Sequence, residues 1–176
     1  MTDQTWIYDT DADNLCRFSL GHCARSPLLC IGVNPSTASP EKLDPTLQSV
    51  ARIAQNNNYD GWIMINLYPQ RSTDPNGMHQ QLNSDLDKQN RRIISSLLSR
   101  YDIPEIWAAW GTLITKRRYL LDCLSNIHAV TSGYNWITFG RLSKAGHPHH
   151  PLYLNAHAPK SSFPVADYIE TMKKNR

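Results

Sequence analysis

Four short phrases of the sequence contain amide, imidazole and hydroxyl side chains that could bind and polarise a small ligand. They are Gly32-Val33-Asn34-Pro35-Ser36, Asn66-Leu67-Tyr68-Pro69, Ala109-Trp110-Gly111 and Gly146-His147-Pro148-His149-His150-Pro151-Leu152. An amide both donates and accepts hydrogen bonds, and imidazole gains or loses a proton near neutral pH. Groups of this kind can read the edge of a ligand and stabilise charge that develops when a bond breaks.

The elements that must position these phrases are predicted from hydrophobic patterning. Continuous apolar, β-prone runs at residues 28–33, 62–67, 105–110 and 134–139 are typical of buried strands. Apolar residues at helical spacing predict helices from Asp44-Pro45 to about residue 57, over 84–100, over 112–126 and near the C-terminus over about 164–172. Strands that alternate with helices favour parallel pairing, with helices on both faces of the sheet.

Two shorter β-prone runs, at residues 6–10 and 15–20, flank the polar stretch 11–14 and predict an antiparallel hairpin that borders the main sheet. The expected fold is an α/β class, three-layer α/β/α sandwich with a four-stranded parallel sheet plus this N-terminal β-hairpin. At 176 residues the chain is expected to form one α/β domain over residues 1–176, because a second core would have too little apolar area.

Ligands of open parallel sheets bind beyond the carboxyl ends of the strands, so the four phrases are expected to meet at one edge. Basic residues near predicted strand ends could face the same pocket: Arg71, Lys116, Arg117, Arg118, Arg141 and Lys144. Arg71 and Lys144 are the stronger candidates, because the run 116–118 is equally well explained as the solvated first turn of a helix.

The composition is that of an ordinary globular protein, with 40% apolar and 19% charged residues. The net charge of +3 is compatible with a phosphate-bearing ligand but does not by itself indicate nucleic-acid binding. No apolar run approaches the ~18 residues of a membrane span, and the polar opening lacks the pattern of a signal peptide, so a cytoplasmic protein without a membrane partner is expected.

The cysteine and histidine patterns predict neither a metal site nor a cofactor. The four cysteines form no C-x-x-C pair, and reduced thiols are expected. His147, His149, His150 and His157 lie close together in sequence, but no carboxylate or cysteine accompanies them at the spacing of a zinc site.

In the order of the four phrases, the chain resembles the uracil-DNA glycosylase superfamily over about residues 28–153. The Asn34-Pro35-Ser36 phrase is similar to the first motif of its mismatch-specific members, in which asparagine replaces an aspartate. Asn66 ends a strand as the base-reading asparagine of that superfamily does, and Ala109-Trp110-Gly111 is similar to its Leu-Trp-Gly strand end. Its His-Pro-Ser-Pro-Leu motif is matched by a segment one residue longer, so that either His147 or His150 could be the counterpart.

Over its full length the chain also resembles an uncharacterised bacterial family, domain of unknown function 1643. The pattern that carries this resemblance is Asn-Pro-Ser-Thr-Ala, Asp-Pro-Thr, Asn-Leu, Trp-Gly and His-Pro-Leu-Tyr. This resemblance implies relatives but no activity.

The glycosylase resemblance implies roles for individual residues. Asn34 would hold the attacking water, His147 or His150 would donate a hydrogen bond to the departing base, and both histidines and Asn34 are therefore the expected catalytic residues. The expected substrate-binding residues are Pro35, Ser36, Thr37, Asn66, Tyr68, Arg71, Trp110, Lys144 and Leu152.

These residues also have structural explanations. Asn34 could simply shape a turn, and neighbouring backbone could satisfy Asn66. Tyr68 and Trp110 could be packing residues rather than a platform for a base. Leu152 or Tyr153 could be a wedge that replaces an extruded base, or part of the core.

Two functions remain open from the sequence. The first is a nucleobase-handling enzyme that hydrolyses an N-glycosidic bond in DNA, as in DNA repair, or in a nucleoside or nucleotide. The second is a non-catalytic module that binds a nucleotide or nucleic acid in the same pocket, since the phrase at residues 32–36 lacks a carboxylate to act as a strong general base.

Overall fold

Buried β-prone segments pair into one mixed sheet in the computed structural model, which describes residues 3–176. Within these residues the sheet has seven strands in the order β1-β2-β4-β3-β5-β6-β7. The strands are β1 (Thr5–Thr10), β2 (Arg17–Cys23), β3 (Leu28–Gly32), β4 (Gly61–Asn66), β5 (Ile106–Ala108), β6 (Trp136–Phe139) and β7 (Lys160–Ser162). The fold is therefore of the mixed α/β class.

The sheet is larger and more mixed than the predicted four-stranded parallel sheet. Pairing is parallel between β4 and β3, β3 and β5, and β5 and β6. It is antiparallel between β1 and β2, β2 and β4, and β6 and β7. The hairpin of β1 and β2 was predicted, but β7 was not, because its three residues are polar and exposed and carry no apolar pattern.

Two of the predicted helices begin and end where local signals place them. Helix α1 (Pro45–Asn56) has Pro45 in its first turn, and Asp44 accepts a hydrogen bond from Leu47 N at 2.9 Å. Helix α2 (Ser84–Arg100) matches its predicted bounds. Helices α3 (Tyr119–Val130) and α4 (Val165–Lys174) complete the layers.

The predicted helix over residues 112–126 is wrong at its start. Residues Gly111–Lys116 form a 3-10 turn, and α3 begins only at Tyr119 and continues to Val130. Gly111 has a φ of +61°, a conformation that favours glycine and turns the chain directly after β5.

Helices cover both faces of the sheet because the central strands are apolar on both sides. Leu28 and Cys30 of β3 belong to a core that includes α1, whereas Leu29 and Ile31 point into a core formed with α2, α3 and α4. This double burial explains why β3 reads as a continuous apolar run. Within residues 3–176, no helix combines the length and apolar composition that a membrane span requires.

After the neighbouring central strands β3 and β5, the chain continues on opposite faces of the sheet. The chain leaves β3 for α1 on one face and leaves β5 for α3 on the other. Loops that diverge from adjacent parallel strands open a crevice at the carboxyl edge, which is where ligands bind in sheets of this type.

Asn90 of α2 anchors the carboxyl end of β4. Its side chain is fully buried, and its Nδ2 donates to Asn66 O at 2.9 Å. We expect Asn90→Ala to lower the free energy of unfolding by about 1 to 3 kcal/mol, because a buried carbonyl loses its donor. Urea denaturation measures this change. Lys88→Ala, at an exposed position of the same helix, is the control, and equal midpoints for the two variants would contradict the assignment.

Candidate functional site

A cavity of about 420 Å³ at the carboxyl ends of β3 and β4 brings distant residues together, and we call it the carboxyl-edge cavity. Seven residues expected from the sequence line it: Asn34, Pro35, Ser36, Thr37, Asn66, His150 and Leu152. Five polar residues that were not expected at a site also line it: Arg17, Asp44, Thr46, Ser72 and Thr73. Its volume lies within the ~300 to 1,000 Å³ range of small-molecule sites.

The loops after β3 and β4 are held together by their backbones. Tyr68 N donates to Val33 O at 3.0 Å, and Ser72 N donates to Pro35 O at 2.9 Å. The Asn34 side chain joins this network, because its Nδ2 donates to Ser72 O at 2.9 Å and to Pro35 O at 3.1 Å. With both amide hydrogens directed at backbone, Oδ1 is the atom of Asn34 that remains to contact a ligand or water.

Asn66 lines the cavity, and its side chain is almost completely buried. Its side chain is 2% exposed, and its Nδ2 has no hydrogen-bond partner within the described part of the chain. The sequence had left open that neighbouring backbone satisfies the Asn66 side chain. In the structure, no backbone carbonyl of residues 3–176 accepts a hydrogen bond from Nδ2. A buried polar group without a partner costs about 1 to 3 kcal/mol, so a ligand that accepts from Nδ2 would recover that cost.

Gly32 provides the space beside Asn66. The two residues are paired in the parallel register of β3 and β4. A Cβ on Gly32 would lie 2.9 Å from Asn66 Oδ1 and 2.7 Å from Met64 Cε, closer than such atoms normally approach. A glycine at the end of β3 therefore allows the asparagine side chain to adopt this position.

His150 lines the same cavity, and its ring can donate a hydrogen bond. Leu152 N donates to His150 Nδ1 at 3.3 Å, so that Nδ1 acts as the acceptor and the proton of the neutral ring resides on Nε2. Burial lowers the pKa of His150 below its ordinary value, and the nearby negative charge of Asp44 opposes this shift in part. The ring is therefore neutral at pH 7.

His147 lies elsewhere, in a buried chain of hydrogen bonds. Its Nδ1 lies within hydrogen-bond distance of Tyr168 Oη, at 2.7 Å, and the same hydroxyl accepts from Trp110 Nε1 at 3.1 Å. Burial lowers the pKa of His147. His147 is not among the residues that line the carboxyl-edge cavity, and of the two histidine candidates the geometry places only His150 beside Asn34 and Asn66.

Four expected substrate-binding residues do not reach this cavity. Tyr68 and Trp110 are fully buried, and Tyr68 Oη bonds to His79 Nδ1 at 2.6 Å, so neither ring offers a face to a base. Arg71 instead braces the loop after β3, because it donates to Ser36 O at 2.5 Å. Lys144 is exposed on a separate turn.

The expectation that cations after the parallel strands face the pocket is wrong for this cavity. None of Arg71, Lys144, Arg141 or the run 116–118 is among its lining residues. The cation that lines it is Arg17, the first residue of β2. Because β2 runs antiparallel to β4, with Leu20 opposite Met64, the start of β2 lies at the edge where β4 ends.

The guanidinium of Arg17 is buried, and few hydrogen bonds compensate for its loss of contact with water. The side chain is 2% exposed, its Nη1 donates to Ala38 O at 3.3 Å, and its Nε has no partner within the described residues. Burial, followed by the positive charge of Arg71, lowers the pKa of Arg17 to about 10, against opposing effects of Asp44 and Tyr8. A charged residue within the short β-prone run 15–20 was the available signal in the sequence.

Asp44 has a second role besides capping α1. The bond from Leu47 N shows that Asp44 caps the helix predicted to start at Asp44-Pro45, and the same residue also lines the cavity. It therefore adds a carboxylate to a site in which the sequence phrase at residues 32–36 supplied only amides and hydroxyls.

A second cavity, of about 300 Å³, is lined by the expected residues Trp110, His147 and His150 but not by Asn34 or Asn66. A larger cavity, of about 680 Å³, lies beside β6 and β7, and no expected site residue lines it. Among residues 3–176, no group of three or more histidine, cysteine, aspartate or glutamate side chains is placed to hold a metal ion.

Comparison with known proteins identifies a family but no characterised relative. No curated protein and no solved structure matches the chain. The model of a family described as "Protein of unknown function (DUF1643)" matches residues 17–152, which is more than half of the chain. The matched segment begins at Arg17, ends at Leu152 and contains every residue that lines the carboxyl-edge cavity. The chain therefore belongs to the DUF1643 family.

Proposed function

We propose that the protein is a nucleobase-handling hydrolase that cleaves an N-glycosidic bond in a nucleotide or in DNA, with a site resembling that of uracil-DNA glycosylases. The observation that carries the proposal is the unpartnered amide of Asn66, buried in one cavity with Asn34 and His150. Amides of this kind discriminate bases through donors and acceptors on the base edge.

The electrostatics of the cavity suit the departing base. Dissociative cleavage leaves positive charge on the sugar and negative charge on the base, and fixed dipoles lower the barrier where such charge grows. His150 is neutral, and its Nε2 carries the proton, so it can donate to a base oxygen that is gaining charge. Asn66 Nδ2 can donate to a second acceptor on the same base.

The attacking water needs an acceptor and a base. Asn34 Oδ1 can accept a hydrogen bond from this water, but an amide cannot take its proton. The carboxylate of Asp44 lines the same cavity and can take the proton, so we assign Asp44 the role of general base and Asn34 the role of positioning the water.

The fold and the rim of the cavity support the glycosylase resemblance. The central strands β4, β3, β5 and β6 are parallel, and the cavity lies at the carboxyl ends of β3 and β4. Leu152 is 43% exposed at the rim and Tyr153 is 79% exposed next to it. Exposed apolar side chains beside a base-binding cavity fit the wedge that fills the gap left by an extruded base.

A non-catalytic binding module is the second candidate. It is favoured by the hydrogen bonds of Asn34 Nδ2 to Pro35 O and Ser72 O, because these give Asn34 a sufficient structural role in shaping the loop. Under this alternative, ligand binding depends on Asn66 but no bond is cleaved.

The first prediction is release of a free base. We expect the purified protein to release base from at least one substrate in a panel of uracil-containing, mismatched and deaminated DNA, single- and double-stranded, together with nucleosides and nucleotides. Chromatography of the products measures it. Asn66→Ala should abolish release without unfolding the chain, because Nδ2 has no partner to lose. No release from any substrate, under conditions in which a known glycosylase works, would refute the proposed activity.

The second prediction separates the two roles of Asp44. Asparagine caps helices about as well as aspartate, so Asp44→Asn should leave the cap of α1 in place, and any loss of stability should come from removal of the charge that opposes Arg17. The substitution should lower the rate by about 10²-fold or more, because an amide is no base. Asp74→Asn is the matched control, since Asp74 also precedes proline and caps a 3-10 turn, but is not among the lining residues. Equal rates for the two variants would exclude Asp44 as the base.

The third prediction is that activity is lost in acid as the His150 ring becomes protonated. The pKa of this ring is lowered, so the neutral form is present at pH 7 and is lost only as the pH falls through that lowered value. Protonation places a hydrogen on Nδ1, which then cannot accept from Leu152 N. The rate should therefore be constant near neutral pH and fall in acid, with the midpoint that NMR titration gives for His150. Midpoints that differ would show that protonation of His150 does not control the rate.

A further inference from the structure

We propose that the carboxyl-edge cavity contains an anion subsite, built on the buried guanidinium of Arg17, that binds a phosphate group of the ligand. This subsite does not require that any bond be cleaved. Combined with the proposed function, on which the nucleoside part of the inference rests, it makes the substrate a phosphorylated nucleoside rather than a free nucleoside.

The first argument is the state of Arg17 itself. The side chain is 2% exposed and lines the cavity, and its Nε has no partner among the described residues. It forms none of the ion pairs found in residues 3–176. Removing a charged group from water without a partner is strongly unfavourable, which is why buried cations are normally paired.

The second argument is the excess of positive charge at this wall. Arg71 Nη1 also donates to Ala38 O, so two guanidinium groups share one carbonyl, each at 3.3 Å. The repulsion between them contributes to the lowered pKa of Arg17. Asp44 provides one opposing charge, but Leu47 N already binds its Oδ1. An anionic ligand group would compensate the remaining charge.

The third argument concerns the neighbouring donors. The first turn of the 12-residue helix α1 lines the cavity through Pro45, Thr46 and Leu47. The start of a helix carries partial positive charge, and the hydroxyl of Thr46 can donate to a phosphate oxygen. Ser36 and Thr37 add two more hydroxyls from the loop after β3. A planar guanidinium surrounded by several donors matches phosphate, which presents several acceptor oxygens at once.

The test compares the full-length wild-type chain with Arg17→Met, which keeps much of the side-chain length but removes the charge. Thermal unfolding is measured in sodium phosphate and in sodium chloride of equal ionic strength. Calorimetric titrations then compare nucleosides, their 5′-monophosphates and a short single-stranded oligonucleotide. Arg52→Met on the exposed side of α1 is the control for loss of an arginine elsewhere.

We expect phosphate to raise the Tm of the wild type and of Arg52→Met but not of Arg17→Met. The wild type should bind a nucleoside 5′-monophosphate about tenfold or more tightly than the nucleoside, and Arg17→Met should bind the two equally. Tightest binding of the monophosphate identifies a free nucleotide as the source of the phosphate, and tightest binding of the oligonucleotide identifies a strand phosphate. Either result supports the subsite.

Two results would overturn the subsite. One is equal affinity of the wild type for nucleosides and their monophosphates. The other is a phosphate effect on Tm that persists in Arg17→Met, in which case an adventitious surface site is responsible. If Arg17→Met does not fold, Arg17→Lys replaces it, and a preference for monophosphates as large as that of the wild type counts against the guanidinium.

The outcome is distinguishable from failure of the proposed function. Phosphate preference without base release leaves the subsite intact and removes the hydrolase. Base release without phosphate preference supports the hydrolase and removes the subsite.

Discussion

The parallel pairing of β3 with β4 is the constraint on which the rest of the site depends. Its register places Gly32 beside Asn66, and the absence of a Cβ at that position leaves room for the asparagine side chain. The same pairing continues beyond the strands, where Tyr68 N and Ser72 N bind the loop that carries Asn34. A shift by one residue would reverse which side chains face the cavity.

Neighbouring residues hold the polar groups of this site in place, but two of these groups lack hydrogen-bond partners among the described residues. Asn90 fixes the carbonyl of Asn66, whereas the Asn66 Nδ2 and the Arg17 Nε remain without partners among the described residues. Such groups reduce the stability of the unliganded protein, and they gain the corresponding free energy when a matching ligand binds. The two unpartnered donors differ in charge, which fits a ligand with a polar neutral part and an anionic part.

Local patterns predicted much of the fold and part of the site. The Asp44-Pro45 cap and the apolar spacing of α2 were sufficient for those helices, because capping and amphipathic periodicity act within a few residues. The meeting of Asn34, Asn66 and a histidine was also predictable, since parallel strands end at a common edge. By contrast, β7 is too short and too polar to produce a pattern, and the start of α3 was displaced by the turn at Gly111.

By itself, the sequence determined which segments are buried strands and helices and which chemical groups follow the strand ends, because those properties depend on near neighbours in the chain. Only the tertiary structure showed that His150 and not His147 lines the carboxyl-edge cavity, that Tyr68 and Trp110 are buried away from this cavity, and that Arg17 lies at the edge of the sheet. The physical reason is that burial, unsatisfied hydrogen bonding and charge compensation are set by residues distant in sequence. Arg17 reaches the cavity through the antiparallel pairing of β2 with β4, which no local pattern near Arg17 encodes.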